Sequence, residues 1–130
     1  MSQYLYSNQY NPPAPVMEIT LGLPGKPSAI GPFAALIDTG ADATYVPSNL
    51  LRQLNAPFIN RGVVRSQWGE SRSVKLHTIS IGVGLLNIPV VTVISDSQSD
   101  EIILGRNFLN RWQISLDGPA ALTQLIGEPV

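Results

Sequence analysis

Cysteine is absent from this 130-residue chain, and histidine occurs once. The missing thiols exclude disulfide bonds, thiolate zinc sites and cysteine nucleophiles. His77, the one histidine, is not accompanied by a serine or cysteine nucleophile pattern, so we interpret it as a surface or internally hydrogen-bonded side chain and not as a catalytic base. Chains without disulfides are usual inside cells, and we expect a cytoplasmic location.

Charge is also scarce, since charged residues make up 13% of the sequence and the net charge is -1. No basic stripe is visible, so nucleic-acid binding lacks its electrostatic basis. No apolar run approaches the ~20 residues that a membrane span needs, and the N-terminus lacks the pattern of a signal peptide. Asp96, Asp100 and Glu101 are interpreted as solvated charges and not as metal ligands. We therefore expect no nucleic acid, no membrane, no metal and no organic cofactor.

Hydrophobic residues make up 44% of the sequence, and glycine and proline, eleven of each, divide them into short segments. The length suits one domain, and short apolar segments between turn residues are typical of an all-β fold. Helical character is confined to a segment near residues 48–54, with Ser48 as a possible cap, and one near residues 106–112. Strands are expected at residues 16–23, 33–37 (buried on both faces), 89–94, 101–104 and 114–116.

A long hairpin is predicted over residues 63–83. Its turn lies near residues 67–70, because Gly69 can adopt a positive φ. In the return strand, apolar residues change parity between Leu76 and Ile79, which predicts a bulge or a change in the buried face.

The first 15 residues are rich in Tyr, Asn, Gln and Pro. This composition predicts a flexible N-terminal arm over residues 1–15, followed by the folded domain over residues 16–130. Two interpretations of the arm stay open: a mobile leader, or a segment whose tyrosines anchor it to a partner subunit.

The stretch ALIDTGADATYV, residues 35–46, places Asp38 directly after an apolar strand. The strand fixes the backbone, and Gly40 permits a sharp turn that brings its N–H group near a carboxylate. Two carboxylates that share a proton can hydrolyse a peptide bond, because one activates water while the other donates a proton to the carbonyl oxygen. The sequence contains one Asp-Thr-Gly. A two-fold symmetric dimer supplies the second, since it places Asp38 of both copies at the axis.

LIDTGADAT and the later ILGRNFL resemble the two characteristic stretches of retropepsins, the retroviral-type aspartic proteases. The resemblance covers roughly residues 16–117. It implies a closed retropepsin-like β-barrel with a flap hairpin and one short C-terminal helix. It also implies an aspartic endopeptidase that acts as a homodimer on a peptide or protein substrate, with water as the nucleophile.

The resemblance also implies roles for matching residues. Asp38 would be the catalytic aspartate, and Thr39 would hold the two active-site loops together across the dimer axis. Asp42 and Arg106 would form an ion pair that braces the active-site loop, while Gly105 permits the turn beside it. Residues expected to contact substrate are Gly40, Ala41, Gln67, Trp68 and Gly69, the last three at the flap tip.

Three features differ from the family pattern, and one of them is an N-terminal arm longer than a minimal retropepsin needs. The flap segment RSQWGESRS has one glycine where many flaps have several, and the C-terminal segment ALTQLIGEPV matches poorly as a dimer strand. These differences leave an alternative function open: a retropepsin-fold binding or assembly module with weak or no proteolysis. Ala41 lacks the hydroxyl found there in two-lobed relatives, which predicts a mildly acidic to near-neutral optimum for an active dimer.

Overall fold

The computed structural model describes residues 2–130, which form ten strands and two short helices. The all-β class is therefore confirmed. The strands are β1 (Ser2–Leu5), β2 (Val16–Gly22), β3 (Ile30–Ile37), β4 (Thr44–Pro47), β5 (Phe58–Arg65), β6 (Ser71–Val83), β7 (Leu86–Asp96), β8 (Ile102–Leu104), β9 (Gln113–Asp117) and β10 (Leu122–Ile126); the helices are α1 (Ser48–Leu54) and α2 (Arg106–Leu109).

Six strands close into a barrel in the order β2-β3-β8-β4-β7-β6, and β6 pairs back onto β2. The closing register sets Leu21 opposite Ile81. Two of the pairings, β3 with β8 and β4 with β7, are parallel. The closed barrel predicted from the sequence is confirmed.

Alternation along the strands builds the barrel core. In β2, Met17, Ile19 and Leu21 are buried while Glu18 is exposed, as a period of two requires. The expectation that residues 33–37 are buried on both faces is wrong for the single chain. Ala35 and Ile37 are buried, but Ala34 is exposed because β3 covers the core with one face.

The predicted hairpin is present, and it begins earlier than expected, at Phe58 of β5. Arg65 pairs with Ser71, so the turn lies at residues 66–70, and Gly69 has a φ of 84°. A register shift is present in β6, but it lies between Ile79 and Ile81, beyond the predicted change of parity between Leu76 and Ile79. At this point β6 passes from the hairpin into the barrel. We call β5 and β6 the flap hairpin and residues 66–70 the flap turn.

The N-terminal arm differs from the irregular segment that its composition predicts. Ser2–Leu5 form β1, which pairs with β10 in a separate three-stranded sheet with β9. Farther along the arm, the Tyr10 hydroxyl donates a hydrogen bond to Glu101. Burial, together with this bond and the charge of Glu101, raises the pKa of Tyr10 to about 12. The arm is thus paired with its own chain.

Both helices lie at the segments where helical character was predicted, near residues 48–54 and 106–112, whereas the resemblance implied the C-terminal helix alone. α1 lies between β4 and β5, and the C-terminal helix α2 is a single turn. Ser48 does not cap α1; its hydroxyl lies 2.7 Å from that of Ser95 instead. Neither helix has the length and apolar character needed to cross a membrane.

Candidate active site

Asp38 follows the last residue of β3 and lies at the end of the barrel. Ile37 pairs with Leu104 of β8, and the Asp38 N–H group donates to the Leu104 carbonyl at 3.1 Å. The backbone of Asp38 is therefore fixed by the neighbouring barrel strand before the chain turns. Its side chain is half-buried.

The turn after Asp38 binds one oxygen of the carboxylate. The Gly40 N–H group donates to Asp38 Oδ1 at 3.0 Å, as the sequence predicts, and the Ala41 N–H group donates to the Asp38 carbonyl at 3.1 Å. These bonds limit the rotation of the carboxylate and define a tight loop. We call residues 38–43 the Asp38 loop.

Arg106 holds this loop from the side of α2. Its backbone N–H group donates to the Ala41 carbonyl at 2.8 Å, and its Nη1 donates to the Thr39 carbonyl at 2.8 Å. Its Nη2 pairs with Asp42, as the resemblance implies. The Arg106 side chain is 43% exposed and that of Asp42 is 88% exposed, so the pair itself contributes little free energy. The bonds to two backbone carbonyls make Arg106 the main brace.

Gly105 lies where β8 meets the Asp38 loop. A Cβ atom on this residue would be 2.1 Å from the Ala43 carbonyl oxygen. This separation is far below van der Waals contact, so any larger residue must displace backbone. Glycine is therefore required for the close approach of β8 and the loop.

Thr44 and Asn107, which connect the same elements, were not singled out by sequence reasoning. Thr44 is fully buried; its hydroxyl accepts from the Gly105 N–H group at 3.2 Å and donates to Asn107 Oδ1 at 2.8 Å. The Asn107 amide donates to the Thr92 carbonyl at 2.8 Å. The sequence did contain one signal for this connection: Thr44 is a polar residue at a core-facing position of the apolar strand TYV.

The flap residues Gln67, Trp68 and Gly69 are exposed, and Trp68 is 81% exposed. Across residues 2–130, no hydrogen bond joins the flap turn to the Asp38 loop. The structure thus places the predicted loop residues together at Asp38 and leaves the predicted flap residues apart from them.

His77 and Trp112 have structural surroundings. His77 Nδ1 lies 3.2 Å from the Ala56 carbonyl, and its ring packs edge-on against Phe58. Trp112 is buried against Phe108. The interpretation of His77 as an internally hydrogen-bonded side chain is confirmed.

Chemically, one chain offers one carboxylate at this position. Asp42, the other acid of the loop, is engaged by Arg106. Within the described range, no cluster of three or more His, Cys, Asp or Glu side chains is arranged to hold a metal ion. A single ionised carboxylate can accept a proton from water but has none to donate to the substrate carbonyl oxygen.

Comparisons with known proteins identify the family and the fold. A family model described as "gag-polyprotein putative aspartyl protease" matches residues 30–111, more than half of the chain. No curated protein sequence matches significantly.

Several solved structures share the fold. A retropepsin-like aspartic protease from Rickettsia conorii has a TM-score of 0.66 at 13% identity, covering 95% of this chain and 90% of that one. EIAV protease complexed with the inhibitor HBY-793 has a TM-score of 0.57 at 17% identity, covering 82% and 92%. The retroviral protease-like domain of Ddi1 from Leishmania major has a TM-score of 0.57 at 18% identity, covering 89% and 90%. The chain belongs to the family of gag-polyprotein aspartyl proteases and has the retropepsin-like fold.

Proposed function

We propose that two copies of this chain form an aspartic endopeptidase in which the Asp38 carboxylates face each other across a two-fold axis. The observation that carries the proposal is the fixed position of Asp38, which the Leu104 carbonyl and the Gly40 N–H group hold at the end of β3. A second copy supplies the missing partner carboxylate. The exposed Thr39 side chain is available for contact between the two loops.

In the proposed reaction, one Asp38 carboxylate removes a proton from water as the water oxygen attacks the peptide carbonyl carbon. The other carboxyl group donates its proton to the carbonyl oxygen. The C–N bond then breaks as a proton passes to the amine nitrogen. In the dimer the two Asp38 carboxyl groups share one proton, so one of them acts as the base while the other acts as the acid.

The substrate in this proposal is an extended peptide between the Asp38 loops and the flap turns. Extended peptides bind by adding backbone hydrogen bonds to protein strands, and their side chains alternate between pockets. Gly40 and Ala41 lie on the loop side of this space, and the flap residues Gln67, Trp68 and Gly69 cover it from the other.

The test combines sedimentation with cleavage of a peptide library. Asp38→Asn is expected to fold and dimerise but to lose at least about 10³-fold in kcat. Asp100→Asn, an exposed substitution of the same kind, is the control and should keep full activity. Retained cleavage in Asp38→Asn would end the proposed mechanism.

Mixing experiments test the shared site. Excess Asp38→Asn protein should suppress wild-type activity by forming mixed dimers with one carboxylate, while excess Asp100→Asn should not. A wild-type protein that dimerises but cuts no peptide at any pH would favour the alternative, a binding or assembly module with the same fold.

A further inference from the structure

A groove with a volume of about 770 Å³ lies beside the flap hairpin and away from Asp38. Its walls are α1, the first half of β5, the first half of β6, and residues 95–98 at the end of β7 and just after it. None of its lining residues belongs to the Asp38 loop, to α2 or to the flap turn. The groove is thus a separate feature from the candidate active site.

Positive charge is concentrated in this groove. Its lining includes Arg52, Arg61, Arg72 and Lys75, and its one acidic residue is Asp96. These are four of the eight basic residues in a chain whose net charge is -1. The groove therefore attracts anions although the protein as a whole is slightly acidic.

The cations of the groove have no acidic partner of their own. Arg106–Asp42 is the one ion pair found among residues 2–130. Arg61 and Lys75 are directly opposite on adjacent strands, an arrangement in which like charges destabilise a sheet. An anionic ligand would supply the negative charge that the chain itself does not place there.

The neighbouring backbone favours a peptide as that ligand. β5 is the edge strand of the seven-stranded sheet, so one side of its backbone has no strand partner within residues 2–130. Phe58, Ile59 and Val63 on this strand are 54%, 47% and 70% exposed. An unpaired edge with exposed apolar side chains can accept an extended peptide as an added strand, whereas a small phosphate would use neither feature.

We propose that this groove and the β5 edge bind an extended acidic peptide segment, with its carboxylates on Arg61 and Lys75, which share one face of the hairpin, and on Arg52. The peptide adds to β5 through backbone hydrogen bonds, and its apolar residues lie on the opposite face, beside Val64. This binding requires neither Asp38 nor cleavage.

The test measures binding of a fluorescein-labelled peptide of alternating Glu and Val to the Asp38→Asn protein, in which cleavage cannot consume the probe. In the same protein, the double substitution Arg61→Gln/Lys75→Gln is expected to raise the Kd at least about tenfold. The control Lys26→Gln/Arg111→Gln removes the same charge outside both the groove and β5 and should change the Kd less than about twofold. Equal losses in the two double variants would show general charge attraction and overturn the site.

Four further measurements test this interpretation. The Tm of the Arg61→Gln/Lys75→Gln protein should stay equal or rise, because like-charge repulsion is removed; a lower Tm would assign these residues a structural role instead. A peptide of alternating Gln and Val should bind much more weakly. A Glu-Val peptide with N-methylated backbone that binds as tightly as its parent, or complete displacement by equimolar inorganic phosphate, would overturn strand addition.

Discussion

The Asp38 loop and the flap turn, both proposed to contact substrate, are held in opposite ways. The Asp38 loop bonds to β8 through Leu104 and to α2 through Arg106, and Gly105 packs directly on its backbone. Its partners are more than 60 residues away in sequence. Movement of this loop would require the barrel end to move with it.

The bonds of the flap turn are all local. Ser66 donates to and accepts from residues of its own turn, including Gly69 and Glu70. Segments with few buried contacts and exposed hydrogen bonds open at low free-energy cost. One chain therefore provides a fixed segment, the Asp38 loop, that positions the carboxylate. It also provides a loosely held segment, the flap turn, that can admit and cover a peptide.

The largest change in the free energy of unfolding is expected when Gly105 is replaced by a larger residue. Gly105→Ala places a Cβ atom against the Ala43 carbonyl oxygen, and we expect a loss of about 3 kcal/mol in the free energy of unfolding. Urea denaturation measures the effect. Gly118→Ala, where the new Cβ meets open space, is the control and should stay within about 0.5 kcal/mol of wild type. Similar stabilities for the two variants would contradict the close packing of the loop.

Removal of the brace should have the next largest effect. Arg106→Ala is expected to cost about 1–2 kcal/mol, because the bond to the Thr39 carbonyl and the pair with Asp42 are lost together. Asp42→Ala loses only the exposed pair and should cost less than about 1 kcal/mol. A double-mutant cycle separates the two contributions. If Asp42→Ala costs as much as Arg106→Ala, the bond from Arg106 Nη1 to the Thr39 carbonyl is not the main brace of the Asp38 loop.

Substitution of Gly69 tests the role of the flap turn. Gly69→Ala is expected to cost about 1 kcal/mol, since φ is positive and the side chain meets no neighbour. Gly25→Ala has the same conformational cost outside the flap and is the matched control. Both should lose similar stability, but only Gly69→Ala should raise KM for peptide cleavage. An unchanged KM would separate the flap turn from substrate binding.

The smallest effect on stability is expected at Trp68, which is 81% exposed. Trp68→Ala should change the free energy of unfolding by less than about 0.5 kcal/mol and should lower kcat/KM if the ring covers bound peptide. Leu85→Ala, a fully exposed residue at the turn between β6 and β7, should change neither quantity. A large stability loss at Trp68 would show that the flap turn is more firmly packed than its contacts indicate.

The parts of this molecule that depend on local pattern were predictable. The alternation of residues along 16–22 indicated a strand with one buried face, and Met17, Ile19 and Leu21 are buried. Gly69 indicated the flap turn because glycine can adopt a positive φ, and it does so. The apolar strand before Asp38 and the glycine after it predicted a restrained carboxylate. In each case the physical cause lies within a few residues of its effect.

The parts that depend on distant partners were not predictable. β1 exists because β10, at the other end of the chain, offers it an edge, and nothing in residues 1–15 encodes that partner. The bond from Thr44 to Asn107 spans 63 positions. The exposure of Ala34 likewise depends on which face of β3 meets the core, and a continuous apolar run does not reveal this.

The pairing of β1 with β10 has a mechanical consequence. Ser2 lies opposite Leu125 and Leu5 opposite Leu122. The start of β1 and the end of β10 therefore lie at the same end of this antiparallel pair. A force that pulls residue 2 away from residue 125 breaks the hydrogen bonds between β1 and β10 one after another. It does not load all of them at once. We therefore expect the first strand to peel off under weak tension while the barrel that holds Asp38 stays closed.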